Sequence, residues 1–105
     1  MAILNTRLTD TSPTTVFQST GQQVISVIYF CNTSSSSVSL NVYAINNDDS
    51  TGSSEDNIIY NGLELTANDT YVVSTEKLVL DDLDEIEVEA NVANVVTVTV
   101  SYVSV

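Results

Sequence analysis

Histidine and tryptophan are absent from this chain, cysteine and proline occur once each (Cys31, Pro13), and two cations, Arg7 and Lys77, face fourteen aspartates and glutamates. Each scarcity excludes something. Without histidine no Cys–His nucleophile can be assembled. A single cysteine cannot close an intrachain disulfide. Cys31 ends the apolar run Val24–Cys31, so it is expected to be an inert buried thiol. The formal charge of −12 repels phosphate and anionic headgroups, which argues against nucleic-acid and membrane partners. No stretch approaches the ~20 apolar residues of a membrane helix. The first residues, Met-Ala-Ile-Leu-Asn-Thr-Arg, lack a basic region followed by an apolar core, so no signal peptide is expected and the chain reads as made and folded in a cytoplasm.

What is present is short extended segments. Hydrophobic residues make up 43% of the 105 and charged residues 15%, and no amphipathic helical period lasts three turns. Val24–Ile45 reads as the organising hairpin: Val24–Cys31 is apolar on both faces, Asn32–Ser37 turns, and Val38, Leu40, Val42 and Ala44 alternate with Ser39, Asn41 and Tyr43. Ala2–Leu8 is a first strand or a docking arm, and Thr9–Thr15 with Pro13 a loop or edge. Val16–Gln18 is a short strand ended near Gly21. The polar run Asn46–Asp56 is a long loop, expected to be the most mobile segment. Asn61-Gly62 is a type I′ hairpin signal between Ile58–Tyr60 and Leu63–Leu65. Thr70–Ser74 and Glu76–Leu80 are two strands or one bent strand; Glu85–Ala90 alternates cleanly. Val95–Val105 is the last strand, with Val103 and Val105 falling on its polar face, which a bulge near Tyr102 or a covering partner would explain. The fold class that follows is all-β: a single-domain β-sandwich, immunoglobulin-like or jelly-roll, of about eight short strands over residues 9–105, preceded by the segment 1–8.

The densest chemistry is Asp81, Asp82, Asp84, Glu85, Glu87 and Glu89. On a strand Glu85, Glu87 and Glu89 share a face about 6.5–7 Å apart, which makes a Ca²⁺ or Mg²⁺ site built from hard oxygen ligands one reading. The spacing lacks the EF-hand glycine and terminal glutamate, and a solvated acidic face or a docking surface for a basic partner are the other readings. A glycosidase needs two acids facing across a cleft; acids side by side on a strand, with no tryptophan as a sugar platform, do not meet that need, and no cofactor motif is present. The chain therefore reads as a non-enzyme. Asn32-Thr33-Ser34 and Asn68-Asp69-Thr70 match the glycosylation pattern but read as turns. Of the five tyrosines, Tyr43 on the polar side of its strand is the best contact residue.

The stretch from roughly Thr14 to Val105 resembles small virion proteins of tailed bacteriophages. The resemblance is carried by Ile25, Ile28, Tyr29, Cys31, Asn32 and Thr33 at the end of the central strand, by Ile58-Ile59-Tyr60 through Leu65, by Ala67-Asn68-Asp69-Thr70, and by an acidic D-x-I-x-V strand followed by a valine-rich one. The glycine familiar in the turn before the acidic strand is replaced here by Asp84 or its neighbours. The resemblance implies a β-sandwich serving as a structural part of the particle. The expectation is a capsid decoration or cement protein, made in the host cytoplasm and located in the virion. It would bind the major capsid protein or other virion proteins in many copies or as a homo-oligomer. A neck, tail or fibre component is the alternative. A host-surface binding module using Asn46–Asp56 or Ser34–Ser37 is a third reading. The expected contact residues are Ala2, Ile3, Leu4, Leu8, Tyr43, Val103 and Val105.

Overall fold

Alternation of apolar and polar residues resolves into strands throughout the computed structural model, which describes residues 2–48 and 52–105. Among the described residues there are nine strands and no helix: β1 (Ala2–Arg7), β2 (Thr14–Gln18), β3 (Gln23–Asn32), β4 (Val38–Ile45), β5 (Ile58–Leu65), β6 (Thr70–Val73), β7 (Leu78–Leu80), β8 (Glu85–Ala90) and β9 (Val96–Ser104). They form two antiparallel sheets. Sheet I has the order β1-β9-β3-β6, with β7 also on β3, and sheet II the order β2-β8-β4-β5. The pairings are nested, β1 with β9, β2 with β8, β3 with β6 and β7, and β4 with β5. A long hairpin rolled over on itself gives this order, so of the two sandwich types expected the topology is the jelly-roll.

The core lies between the sheets. Ile25, Ile28, Phe30, Val96, Val98 and Val100 point in from sheet I against Phe17, Leu40, Val42, Ile86, Val88 and Ala90 of sheet II, all buried. Leu8, just after β1, is buried with them, and its main chain bonds to Val96 and Asn94. The Ala2–Leu8 segment is thus an edge strand closed by a core residue.

Three sequence expectations give way to tertiary structure. The Val24–Ile45 hairpin does not form: β3 and β4 lie in different sheets, and the Ser34–Ser37 connection crosses between them. A two-faced apolar strand followed by an alternating one fits a hairpin and a crossover equally, and closure of β3 on β9 decides. Asn61-Gly62 is a bulge inside continuous β5. Leu40 pairs with Leu63 and Asn41 with Asn61, leaving Gly62 unpaired at φ 73°, with its N–H donated to Asn41 Oδ1 at 2.9 Å. The irregularity expected at Tyr102 sits on the partner strand, where Ser26 is the extra residue between Ile25↔Tyr102 and Val27↔Ser101. Tyr102 still turns inward to Phe17, ring centroids 4.8 Å apart.

Asn32 is buried and closes one end of the sandwich. Its Nδ2 donates to the carbonyls of Ser36 (2.8 Å), Leu65 (3.2 Å) and Thr66 (3.1 Å), while Oδ1 accepts from the N–H and hydroxyl of Ser34. A side chain so engaged offers no amide for glycosylation. At the opposite end, Leu83 occupies the left-handed conformation (φ 69°), the geometry that glycine favours in the turn before β8. Leu83 N–H donates to Ser19 O and Asp84 O accepts from Ser19 N–H, which ties this turn to the β2–β3 connection.

Candidate functional site

The two outer faces of the sandwich differ in kind. On sheet I, strand registers place Ile3, Asn5 and Arg7 of β1 beside Ser101, Thr99 and Thr97 of β9; beyond them lie Val27, Tyr29 and Cys31 of β3, then Val72 and Thr70 of β6. At the chain-terminal end, Val103, Val24 and Val79 stand in one row. None of the five strands of sheet I contains an aspartate or glutamate, in a chain with fourteen. Both cations of the chain stand at its margin, where Arg7 donates to Asn94 O at 2.7 Å and Lys77 donates to the carbonyls of Ser26 and Ser74, while Asp69, Glu76 and Asp81 flank the ends of β6 and β7. Ile3 (66% exposed), Val79 (62%), Val72 (45%), Tyr29 (41%) and the terminal Val105 (79%) leave large apolar surface open here.

Sheet II carries the opposite surface. Glu85, Glu87 and Glu89 line the outer side of β8 opposite Ile86, Val88 and Ala90 inside, and Glu64 stands on β5. Neutral donors on neighbouring strands flank this row. Thr15 Oγ1 donates to Glu85 Oε1 at 2.8 Å; Tyr43 hydroxyl and Asn41 Nδ2 donate to Glu89 Oε1 at 2.9 and 3.1 Å. Burial raises the Tyr43 pKa above its ordinary value of 10.0, and the hydrogen bond to Glu89 and its charge add to the shift.

The aspartates before β8 serve the loops. Asp82 Oδ1 accepts from Gly21 N–H (2.7 Å), Asp81 Oδ1 from Gln22 Nε2 (3.3 Å), and Asp84 from Asn47 N–H (2.9 Å) and Asp81 N–H (3.0 Å). The six carboxylates named from the sequence are thus split between a turn and a sheet face. Among the described residues no three His, Cys, Asp or Glu side chains are placed to share a metal ion.

Of the expected contact residues, Ala2, Ile3, Leu4, Val103 and Val105 are exposed on or beside sheet I. Leu8 belongs to the core, because it follows the last β1 pair and turns inward. Tyr43 is on the outer face of sheet II but only 8% exposed, packed among Glu87, Glu89 and Ile58 in the strand registers, so it offers little contact area. Cys31 is half-buried and faces outward from sheet I between Thr97 and Thr70; the expected buried thiol is on the surface because β3 alternates with Phe30 and Asn32 inward. Val24, Val27, Val72 and Val79 were not singled out from the sequence as contact residues, and Tyr29 only as one of the five tyrosines. The available signal was the acid-free composition of their strands, but only the topology gathers those strands into one sheet. The Asn46–Asp56 loop includes residues 49–51, which lie outside the described residues, so the recognition and mobility readings of that loop extend beyond them.

No protein-family model, curated protein or solved structure matches this chain.

Proposed function

We propose that this chain is a non-catalytic structural protein of a phage particle, a decoration protein that lies on the capsid lattice through the outer face of sheet I. The observation that carries the reading is the segregation of charge. A chain of net charge −12 keeps one sheet face free of carboxylates and lined with exposed valine, isoleucine and tyrosine. Burying that face removes apolar area from water without desolvating an anion. The acidic sheet then faces solvent and holds the coated particle soluble and repelled from nucleic acid. Jelly-rolls recur in viral capsid and lectin domains, a fold-level analogy that supports the reading without assigning it.

Magnitude sets a condition. Four strands about 4.8 Å apart and about nine residues long make a face of roughly 19 by 30 Å, or roughly 570 Å². Two such surfaces in contact bury roughly 1,100 Å², the low end for specific interfaces. One copy held by this face alone binds weakly, so stable decoration needs several linked copies or a second contact per copy. The β1 edge can supply the links. Leu8 N–H bonds to Val96 O, so by alternation Ile3, Asn5 and Arg7 turn their main-chain N–H and C=O groups away from β9 to the open edge. That edge carries no bulge, proline or carboxylate to block strand pairing. The same open edge favours the second reading, a self-associated neck or tail ring.

Cys31 makes the reading directly testable, since the chain's one thiol lies on the proposed contact face. Purified protein is mixed with capsids lacking it, pelleted, and treated with a maleimide. The expected result is co-sedimentation with Cys31 protected relative to free protein, and loss of binding in Val72→Glu and Val79→Glu but not in Glu85→Gln. Equal labelling of bound and free protein refutes docking by this face. Failure to co-sediment, together with a stable ring of the free protein, moves the reading to a neck or tail component.

A further inference from the structure

Where the sandwich ends in β5 on one sheet and β6 and β7 on the other, a cavity of about 350 Å³ opens between the sheets. Its floor is core: Ile25, Ile28 and Val42, all buried. Its walls are Ile59, Tyr60, Val73 and Leu78, and Glu76 completes the lining. The hole has a local cause. The outer strand of sheet I breaks at Ser74–Lys77, so that β6 covers Ile28–Cys31 and β7 covers Gln23–Ile25. Lys77 takes the place of the missing strand, donating to the Ser26 carbonyl at 2.8 Å and to Ser74 O. On the other rim β5 bulges between its pairs with Val42 and Tyr43, which turns Ile59 out at the mouth.

Protein interiors are close-packed, and an apolar hole of this size falls in the range of ligand sites. We infer that this cavity receives an extended segment of a partner protein, whose aliphatic anchor side chain fills the hole and whose neighbouring lysine or arginine meets Glu76. Three observations point to that occupant. Apart from Tyr60 and Glu76 the floor and walls are aliphatic, which selects an apolar anchor. Among the described residues Glu76 is the one carboxylate in the lining, and Tyr60 with Tyr71 edge-on at 6.2 Å puts aromatic rings at the mouth, so a cation is attracted by charge and by ring faces. Burial, with Tyr71 and Glu76 nearby, also raises the Tyr60 pKa, so its hydroxyl stays protonated and able to donate. The cavity also lies between two terminal strands, β5 and the β6–β7 pair, whose outer edges can bond to the main chain of an extended segment. A second copy does not fit this description. Its two cations, Arg7 and Lys77, are already bonded to carbonyls of Asn94, Ser26 and Ser74. The inference is independent of the phage reading, though such a contact would supply the second attachment that the sheet I face requires.

The test is a methyl-resolved NMR titration of the whole protein with three pentapeptides: a central leucine flanked by lysines, the same with a central alanine, and a central leucine flanked by glutamates. The leucine–lysine peptide is expected to shift the methyls of Ile25, Ile28, Ile59, Val73 and Leu78 saturably. The alanine-centred peptide, of equal charge, should leave them in place. Glutamate flanks should weaken binding, and Glu76→Gln should cost the lysine peptide about fivefold, the scale of one exposed ion pair. Glu64→Gln on the other sheet controls for net charge and should change nothing. Shifts spread over the acidic face of sheet II, or equal response to the leucine and alanine peptides, overturn the inference. Toluene binding the cavity as tightly as the peptide would assign it to a small apolar molecule and overturn the partner segment.

Discussion

Replacing Asn32 tests how the sandwich end is held. Asn32 Nδ2 serves three carbonyls, of which Leu65 O is the most deeply buried, and Oδ1 serves Ser34 twice. In Asn32→Ala the Leu65 carbonyl loses a buried donor, costing about 1–3 kcal/mol, and the part-buried Ser36 and Thr66 carbonyls lose bonds worth about 0.5–1.5 kcal/mol each. A total near 3 kcal/mol corresponds to a fall in Tm of roughly 12–20 °C for a domain of this size. Asn32→Asp keeps the shape and reverses the chemistry, because an ionised carboxylate then faces the three carbonyls. Its folded pKa must rise above the ordinary value of about 3.9. The folded state then binds the proton more tightly than the unfolded chain. The deficit relative to wild type is therefore smallest below about pH 4, grows as pH rises toward the folded pKa, and levels off above it. Urea unfolding followed by circular dichroism at pH 4, 5.5 and 7 measures this difference. An Asn32→Asp deficit independent of pH, or an Asn32→Ala cost below about 1 kcal/mol, refutes the account of Asn32 as a buried donor.

Other consequences are equally concrete. Leu83→Gly should stabilise the fold by roughly 0.5–1 kcal/mol, since the left-handed conformation costs a non-glycine residue about 1–2 kcal/mol and glycine returns part of that as unfolded-chain entropy; thermal unfolding reads the sign. Tyr43→Phe should cost about 1 kcal/mol at pH 7 through the lost bond to Glu89. Because the folded Tyr43 pKa is raised, its contribution is fully present below the ordinary value of 10.0 and is lost as pH climbs through the folded one, so urea midpoints should fall less steeply above pH 10 in Tyr43→Phe than in wild type. Val72→Glu, at an exposed edge-strand position, should change stability by no more than about 1 kcal/mol while abolishing capsid co-sedimentation, which separates docking from folding.

The strands themselves were legible because period-two alternation is a local property. Glu85–Ala90 read correctly residue by residue, since one face had to be buried; in Val38–Ile45 the alternation holds through Val42, but Tyr43 on the expected polar side is buried and Ala44 on the expected core side only half-buried. Asn61-Gly62 misread because glycine's positive φ serves a hairpin turn and a bulge alike, and only the continuing pair of Leu40 with Leu63 distinguishes them. The acidic run was visible as a cluster in the chain, yet the turn bends Asp81, Asp82 and Asp84 back onto the loops while the strand points Glu85, Glu87 and Glu89 outward.

Composition and alternation alone determine that this chain makes an all-β domain and that its anions outnumber its cations seven to one. They do so because side-chain period and formal charge need no knowledge of neighbours. Tertiary structure decides where the charge goes. β1, β3, β6, β7 and β9 are scattered through the sequence, and jelly-roll pairing alone makes them one face without a carboxylate. It also places Cys31 on that face and opens the cavity above Ile25 and Ile28, because both depend on which strand lies beside β3 and where that strand breaks.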